Sequence, residues 1–215
     1  MKRFLFVGFL ALGLSQANAA ENAPMTGAAV SDSLVANSLN KLRGQVTIDL
    51  LSKVRGEMAR ISDMCPSSWI PLYYQAWLGI QTTLYTRNDK NELMEECLNQ
   101  IETAEKLSSA DVSELHALKA YYYYVLIAIN SKVNGPKYYS NVFKECEKSL
   151  EKNPQNPRAL AISCVFKKQM GRFLNANADE DQQELQKITE LFDKEDKNTI
   201  LPRWGKEVLS FINRK

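Results

Sequence analysis

Residues 118–129, LKAYYYYVLIAI, decide the fold of this chain. A related stretch, WIPLYYQAWLGI, lies 49 residues earlier at positions 69–80. In this register the paired tyrosines coincide, and so do the Glu-Cys dipeptides that follow at 96–97 and 145–146. Two similar segments at one spacing predict an internal repeat in which each unit is a pair of helices.

Apolar residues recur at intervals of three and four on both sides of these stretches, and no segment alternates with the period of two expected for strands. Asp111 and Glu114 form a capping box before the tyrosine helix, and an Asn-Gly-Pro tripeptide at 134–136 predicts its end. The sequence therefore predicts an all-α protein of antiparallel helix pairs. We expect one long N-terminal helix, from Ser31 or Ser33 to just before Pro66, to precede these pairs.

The first residues predict export. Lys2 and Arg3 precede an uncharged run at 4–14, and small residues ending in Ala-Asn-Ala at 17–19 follow it. This order is typical of a secretory signal peptide, whereas the alternative of a retained anchor helix needs about 20 apolar residues. The predicted organisation is a signal peptide at 1–19, a flexible lead-in at 20–32 and a single helical domain at 33–215, located in the periplasm or outside the cell.

The charges of the mature chain balance. The full sequence has 27 basic and 25 acidic residues, and the leader holds two of the basic ones and none of the acidic ones, which leaves 25 of each sign. A neutral protein has no general electrostatic attraction to nucleic acid or to anionic lipid. We therefore expect no nucleic-acid partner and no stable membrane anchor after cleavage.

One junction resembles a known repeat. The turn at 153–157, NPQNP, leads into Arg158-Ala159-Leu160 with Pro157 predicted at the first helical position, and this stretch resembles the junction between tetratricopeptide repeats. Together with the WIPLYY segment at 69–74 and PRWG at 202–205, it is similar to an exported tetratricopeptide-like family without an assigned function. The spacing of 49 residues departs from the roughly 34 of that repeat. The resemblance implies a short α-solenoid whose concave surface holds a peptide or a partner protein.

The sequence offers no catalytic set. His116 is the only histidine, which excludes multi-histidine metal sites, and none of the four cysteines forms a C-x-x-C pair. Acidic residues cluster at 179–181, but the cluster lacks the glycine and the spacing of a calcium loop. We expect no catalytic residue, no metal and no cofactor. An enzyme that pairs Cys65 with His116 is an alternative.

Two cysteines can form a disulfide. Cys146 lies seven residues before the turn at 153–157 and Cys164 lies seven after it, which places both at the same height on two antiparallel helices. An oxidising compartment permits a bridge between them. In the alternative interpretation Cys146, like Cys97 at the same repeat position, is a small buried apolar residue.

Aromatic side chains supply the candidate binding residues, because all nine tyrosines lie between positions 73 and 139. Four consecutive tyrosines on a helix point in four directions, so they cannot all be core; they either pack between helices or line a groove. Arg158 either presents a cation at the end of this groove or bonds to carbonyls and carboxylates at a helix start. The candidate set is Trp69, Tyr73, Tyr74, Trp77, Tyr121, Tyr124 and Arg158.

These observations predict a non-catalytic binding or scaffold module that uses a Tyr- and Trp-rich groove to hold a peptide or a partner protein in the cell envelope. The alternative is a carrier for an apolar small molecule between helices. A closed site beside the tyrosines favours the carrier, whereas an open groove favours the scaffold.

Export predicts a defined N-terminus. Mass spectrometry of the protein from its native source should find Ala20 as the first residue, because Ala17 and Ala19 form the cleavage signal. A product that retains Met1 would contradict export by this route.

Overall fold

The structure is a computed structural model that describes residues 27–86, 90–173, 182–196 and 199–213. All regular elements in these ranges are helical, which confirms the all-α prediction. The predicted signal peptide and the acidic cluster at 179–181 lie outside the described residues. The elements are α1 (Gly27–Asn40), α2 (Ile48–Met64), α3 (Trp69–Tyr85), α4 (Lys90–Ala104), α5 (Val112–Ile129), α6 (Ser131–Lys152), α7 (Pro157–Phe173), α8 (Gln182–Asp193) and a C-terminal 3-10 helix (Lys206–Asn213).

The predicted helical domain contains two compact units. The N-terminal unit comprises α1 to α4 and the segment Asp196–Pro202. The C-terminal unit comprises Asp111–Glu195 and the residues from Arg203 onward, and so contains α5 to α8 and the 3-10 helix. None of the helices within the described ranges has both the length and the apolar character that a bilayer span requires.

The prediction of one long N-terminal helix is wrong, because two helices occupy this region. The chain leaves α1 at Asn40 and turns through Gly44, whose φ of 104° is a left-handed conformation that favours glycine. The next helix has its own cap, since the Thr47 hydroxyl accepts from the Leu50 amide at 3.2 Å. The flexible lead-in predicted for 20–32 is also too long, since α1 begins at Gly27.

In the N-terminal unit α3 packs against both α2 and α4. Thirteen of its 17 residues are buried, as expected for a helix that is covered on nearly every side. The Tyr74 hydroxyl donates to the carbonyls of Ile200 (2.9 Å) and Leu201 (3.3 Å), which ties the returning segment Asp196–Pro202 to α3. Gly79 allows α4 to approach closely, because a Cβ at this position would overlap the sulfur of Cys97.

In the C-terminal unit α5 begins as predicted, with the Asp111 carboxylate accepting from the Glu114 amide at 3.0 Å. The stop predicted at 134–136 is misplaced, since α5 ends at Ile129 and Pro136 lies inside α6. Asn130 explains the earlier break, because it belongs to both helix ends. Its backbone N–H donates to the Leu126 carbonyl at the end of α5, and its side-chain oxygen caps α6 by accepting from the Val133 backbone N–H.

Buried serines join the opposite end of this helix pair. Ser113 and Ser149 each donate from the hydroxyl to the other's carbonyl, at 2.9 and 2.8 Å. Asn156, in the turn before α7, donates to the Ser113 hydroxyl at 3.0 Å. These bonds fix the start of α7 at Pro157, as the sequence predicts. Satisfied buried polar groups of this kind fix one arrangement of the helices.

Substituting alanine for Gly79 should destabilise the N-terminal unit by about 1–3 kcal/mol, because the added methyl group forces α3 away from Cys97 on α4. Gly56→Ala is the matched control, since the nearest atom lies on the Arg60 side chain at 3.9 Å. This control should stabilise α2 by about 0.5–1 kcal/mol. Urea unfolding of the two variants measures both effects.

The double variant Gly79→Ala/Cys97→Ala separates two contributions to the stability change: the overlap of the new methyl group with the Cys97 sulfur, and the higher helix propensity of alanine. Removing the sulfur clears the position that the new methyl group needs, so the double variant should be more stable than the sum of the two single changes. Additive free energies of unfolding would show that the contact between Gly79 and Cys97 does not limit the packing of α3 on α4.

Candidate ligand-binding site

The tyrosines of α5 are mostly inside the protein. Tyr121, Tyr122 and Tyr124 are buried, with 4, 4 and 8% of each residue exposed, while Tyr123 is half-buried. On α3 the other predicted binding aromatics are equally enclosed. The prediction that these side chains line an open groove is therefore wrong, because their rings are packed in the core. The side chains concerned are Trp69, Tyr73, Tyr74, Trp77, Tyr121 and Tyr124.

Six rings of the C-terminal unit form what we call the aromatic cluster: Tyr121, Tyr124, Phe143, Phe166, Trp204 and Phe211. Tyr124 lies at its centre. Its ring is nearly parallel to Phe211 (7°, centroids 6.4 Å apart) and to Tyr121 (18°, 6.4 Å), and it meets Phe166 edge-on at 6.0 Å. Trp204 completes the cluster beside Tyr121, at 4.8 Å.

The cluster combines apolar faces with a polar edge. Gln169 on α7 donates to the Tyr124 hydroxyl at 2.9 Å, which fixes the polar edge of that central ring. Phe143 and Phe211 are half-buried, whereas the other four rings are buried, so the cluster reaches the surface at these two phenylalanines. Flat rings with one hydrogen-bonding edge suit a planar apolar ligand.

The C-terminal residues cover this cluster. Trp204 precedes the 3-10 helix and Phe211 lies within it, so one short segment supplies two of the six rings. The 3-10 helix runs for eight residues, which is long for an element of this type, because its hydrogen bonds have poorer geometry than those of an α-helix. It is therefore the part of the cluster most easily opened.

Arg158 does not reach a groove. It is 1% exposed, and its Nη1 donates to Glu195 Oε1 at 2.7 Å and to Glu114 Oε1 at 3.2 Å. The structure thus corrects the interpretation of a ligand-facing cation and agrees with the alternative of a helix-start residue bonded to carboxylates. Gly205 lies against the same side chain, since a Cβ there would be 3.0 Å from Arg158 Cγ.

Two carboxyl groups near Arg158 have raised pKa values. Burial raises the pKa of Glu114 to about 7, although the Arg158 guanidinium opposes this change. One oxygen of Glu114, Oε2, is buried without a hydrogen-bond partner, which adds to the cost of its charge. Burial also raises the pKa of Glu207 in the 3-10 helix. The network therefore connects α5, α7, the second residue after α8 and the C-terminal segment.

The other candidate chemical groups in the sequence are His116 and the four cysteines. His116 Nδ1 lies 2.7 Å from Glu145 Oε2, and Lys148 donates to the same carboxylate at 2.9 Å. The structure contains no bridge between Cys146 and Cys164, so it does not form the possible disulfide that their positions allow. Burial raises the pKa of the Cys97 and Cys146 thiols to about 12, which agrees with the alternative that they are small buried apolar residues.

Sequence reasoning missed four of the six rings in the cluster, namely Phe143, Phe166, Trp204 and Phe211. The helical spacing of Ile162 and Phe166 marks a core face of α7, and the PRWG turn contains Trp204, so part of the signal was present. The pattern cannot say which core faces meet, because Tyr124 and Phe211 are far apart in the chain.

Comparison with known proteins gives one structural likeness. No protein-family model matches the sequence, and no curated protein sequence matches it. Among solved structures, the HusA haemophore from Porphyromonas gingivalis matches with a TM-score of 0.71 and 20% sequence identity. The match covers 87% of this chain and 93% of the haemophore. At this identity the likeness shows that the two proteins share a helical fold.

The raised pKa of Glu114 predicts the sign of its pH dependence. Because its pKa rises from 4.5 to about 7 on folding, the folded protein binds more protons than the unfolded chain between these values. The contribution of Glu114 to stability is therefore fully present below about pH 4.5 and is lost as pH rises through about 7, by at most about 3 kcal/mol. Glu114→Gln should remove this loss and be at least as stable as wild type at pH 8.

Thermal or urea unfolding of wild type and Glu114→Gln at several pH values provides the measurement, and the difference between the two curves isolates Glu114. Glu95→Gln on the exposed face of α4 is the matched control and should follow wild type. A constant difference between wild type and Glu114→Gln from pH 4 to 8 would mean that Glu114 ionises normally beside Arg158.

Proposed function

We propose that this protein is an exported, non-catalytic carrier that holds a planar apolar molecule of the tetrapyrrole class, such as haem, against the aromatic cluster. The burial of the α5 tyrosines is the observation that carries this proposal, because rings enclosed between helices suit a small ligand better than an extended peptide. The fold that the chain shares with a haemophore supports the same ligand class.

The geometry of the cluster explains how such a ligand binds. Tyr121, Tyr124 and Phe211 present nearly parallel faces, and a conjugated macrocycle that stacks on one of them replaces a ring–ring contact with a larger one. The Tyr124 hydroxyl, held by Gln169, lies at the edge of these faces. In haem the phenol can also approach the iron, since tyrosine is one of the known protein ligands of haem iron.

Ligand entry requires the C-terminal segment to move. Phe211 and Trp204 cover Tyr124 and Tyr121 from the 3-10 helix and the turn before it. Local opening of this short helix exposes the two tyrosine faces without unfolding α5 and α7, which contribute the remaining contacts. The carrier therefore opens at its C-terminal end and closes over the bound ligand.

A carrier for a small molecule replaces the predicted function of holding a peptide in a groove, and the other expectations from the sequence are kept. Export to the periplasm or cell exterior, the absence of catalysis and the tetratricopeptide-like origin of the helix pairs stay part of it. The structural likeness to a binding protein favours a binding function over an enzymatic one. The lack of any nucleophile–base–orienter set in the sequence points the same way.

Titration with hemin tests the ligand class. We expect a saturable change in the absorption of hemin and quenching of tryptophan fluorescence, because Trp204 lies in the cluster. Iron-free protoporphyrin IX should bind too, since stacking supplies most of the contact. Phe211→Ala should weaken binding by about five- to thirty-fold, which corresponds to the loss of about 1–2 kcal/mol of ring contact.

The control is Tyr139→Ala, which removes a ring that is 46% exposed on α6 and outside the cluster. It should bind hemin like wild type. Both variants should melt cooperatively, because neither ring is fully buried. An absence of saturable binding, or equal affinity for wild type and Phe211→Ala, would refute a site at the aromatic cluster.

A further inference from the structure

The neutral chain contains a purely basic stretch. No acidic residue occurs between Glu114 and Glu145, whereas lysines stand at 119, 132, 137 and 144. The rest of the mature chain then carries 21 basic and 25 acidic residues. A net charge near zero therefore hides a strong separation of charge along the sequence.

The structure places this stretch on the α5–α6 pair and exposes its second half. Lys132, Val133, Lys137 and Tyr139 are exposed at the start of α6, and Tyr138 is half-buried; together we call these five residues the basic tip. Val133 is 64% exposed and Tyr139 is 46% exposed. Both are among the few large apolar side chains that the described residues leave open to solvent.

Helix periodicity extends the tip along one face of α6. Val133, Lys137 and Lys144 follow at intervals of four and seven residues, so they lie on the same side of the helix, and all three are exposed. Lys137 Nζ stands 4.8 Å above the Tyr138 ring. A charged amine and an aromatic ring thus lie side by side here, while Tyr139, which follows Lys137 by two residues, projects from another side of α6.

The tip is held rigidly. Asn130 joins α5 directly to α6, and the Asn134 side chain donates to the Leu126 carbonyl at 2.7 Å. Tyr138 packs on Tyr123 of α5 with ring centroids 5.6 Å apart. The neighbouring helix adds to the charge, because α7 contains Lys167 and Lys168 and no acidic residue. A fixed surface of this kind loses little entropy when it binds.

We propose that the basic tip docks this protein onto an anionic lipid bilayer. Its lysines neutralise lipid headgroups, at about 1 kcal/mol for each lysine near the surface. Val133 and Tyr139 enter the headgroup region, where tyrosine rings are favoured. The neutral to slightly acidic remainder of the chain is not attracted, so the protein binds in one orientation and reversibly.

The mixture of side chains favours lipid over an acidic protein partner. An acidic protein interface is satisfied by the lysines alone and gains nothing from an exposed valine on the same helix face. A bilayer uses both, because the charged groups stay at the headgroups while the apolar ones enter the boundary with the acyl chains. The surface also needs no preformed pocket, because the exposed lysines and apolar side chains lie together in the first turns of α6.

Co-sedimentation with vesicles tests the proposal on the mature chain without hemin. We expect retention on vesicles that contain phosphatidylglycerol, none on pure phosphatidylcholine, and release at about 1 M salt, where the screening length falls to about 3 Å. The double variant Lys132→Ala/Lys137→Ala should bind about thirty-fold more weakly, because two lysine contacts are lost. Val133→Ser should also reduce retention while leaving the charge unchanged.

The matched control is Lys106→Ala, which removes one exposed lysine of the N-terminal unit and should behave like wild type. Circular dichroism shows that each variant is folded, and hemin titration of the same samples reports separately on the proposed carrier function. Failure of wild type to bind phosphatidylglycerol vesicles, or equal binding by wild type and the double lysine variant, would overturn the proposal. Retention on an acidic polypeptide resin but not on vesicles would also overturn it and would indicate a protein partner.

Discussion

The buried guanidinium of Arg158 is the constraint on which the C-terminal unit depends. Removing a charge from water costs several kcal/mol unless partner carboxylates offset this desolvation cost. Here the two carboxylates come from Glu114 and Glu195, in different parts of the chain. The first turn of α5, the first turn of α7 and the second residue after α8 must therefore meet at one point. Removing one carboxylate partner leaves a buried charge only partly compensated, whereas the isosteric Glu114→Gln keeps an acceptor beside the guanidinium.

The aromatic cluster follows from this arrangement. Once Arg158 fixes the start of α7 beside α5, Phe166 and Gln169 fall opposite Tyr124, two and three turns further along. The close approach of Gly205 to Arg158 brings the C-terminal segment to the same place, and Trp204 then lies on Tyr121. The polar network around Arg158 and the aromatic cluster share α5, α7 and the C-terminal segment. A substitution in one is therefore expected to alter the packing of the other.

Local rules predicted most helices, and they failed where two local signals competed. The Asp111 cap and the start at Pro157 were correct because each depends on residues within one turn. At 130–136 the sequence has both Asn130 and an Asn-Gly-Pro tripeptide; the asparagine ends α5 and caps α6, and Pro136 lies inside α6. The break at Gly44 was missed because the helical pattern continues across it, and only its left-handed backbone shows the turn.

The candidate site was less predictable, because it depends on contacts between distant residues. Four tyrosines in a row must point in four directions, but the sequence does not say which direction is the core. Arg158 had two possible environments, and burial beside Glu114 and Glu195 decided between them. The total charge carries little positional information for a related reason, since it averages over faces that the fold keeps apart.

The path of the chain between the two units constrains how the protein is made. After α8 the backbone returns to the N-terminal unit at Asp196–Pro202, where two carbonyls accept from Tyr74, before Arg203 begins the last part of the C-terminal unit. Neither unit is a continuous piece of the polypeptide. A chain that is synthesised from the N-terminus onward cannot complete its first unit until nearly all of the sequence has been made, so both units complete their folding late in synthesis.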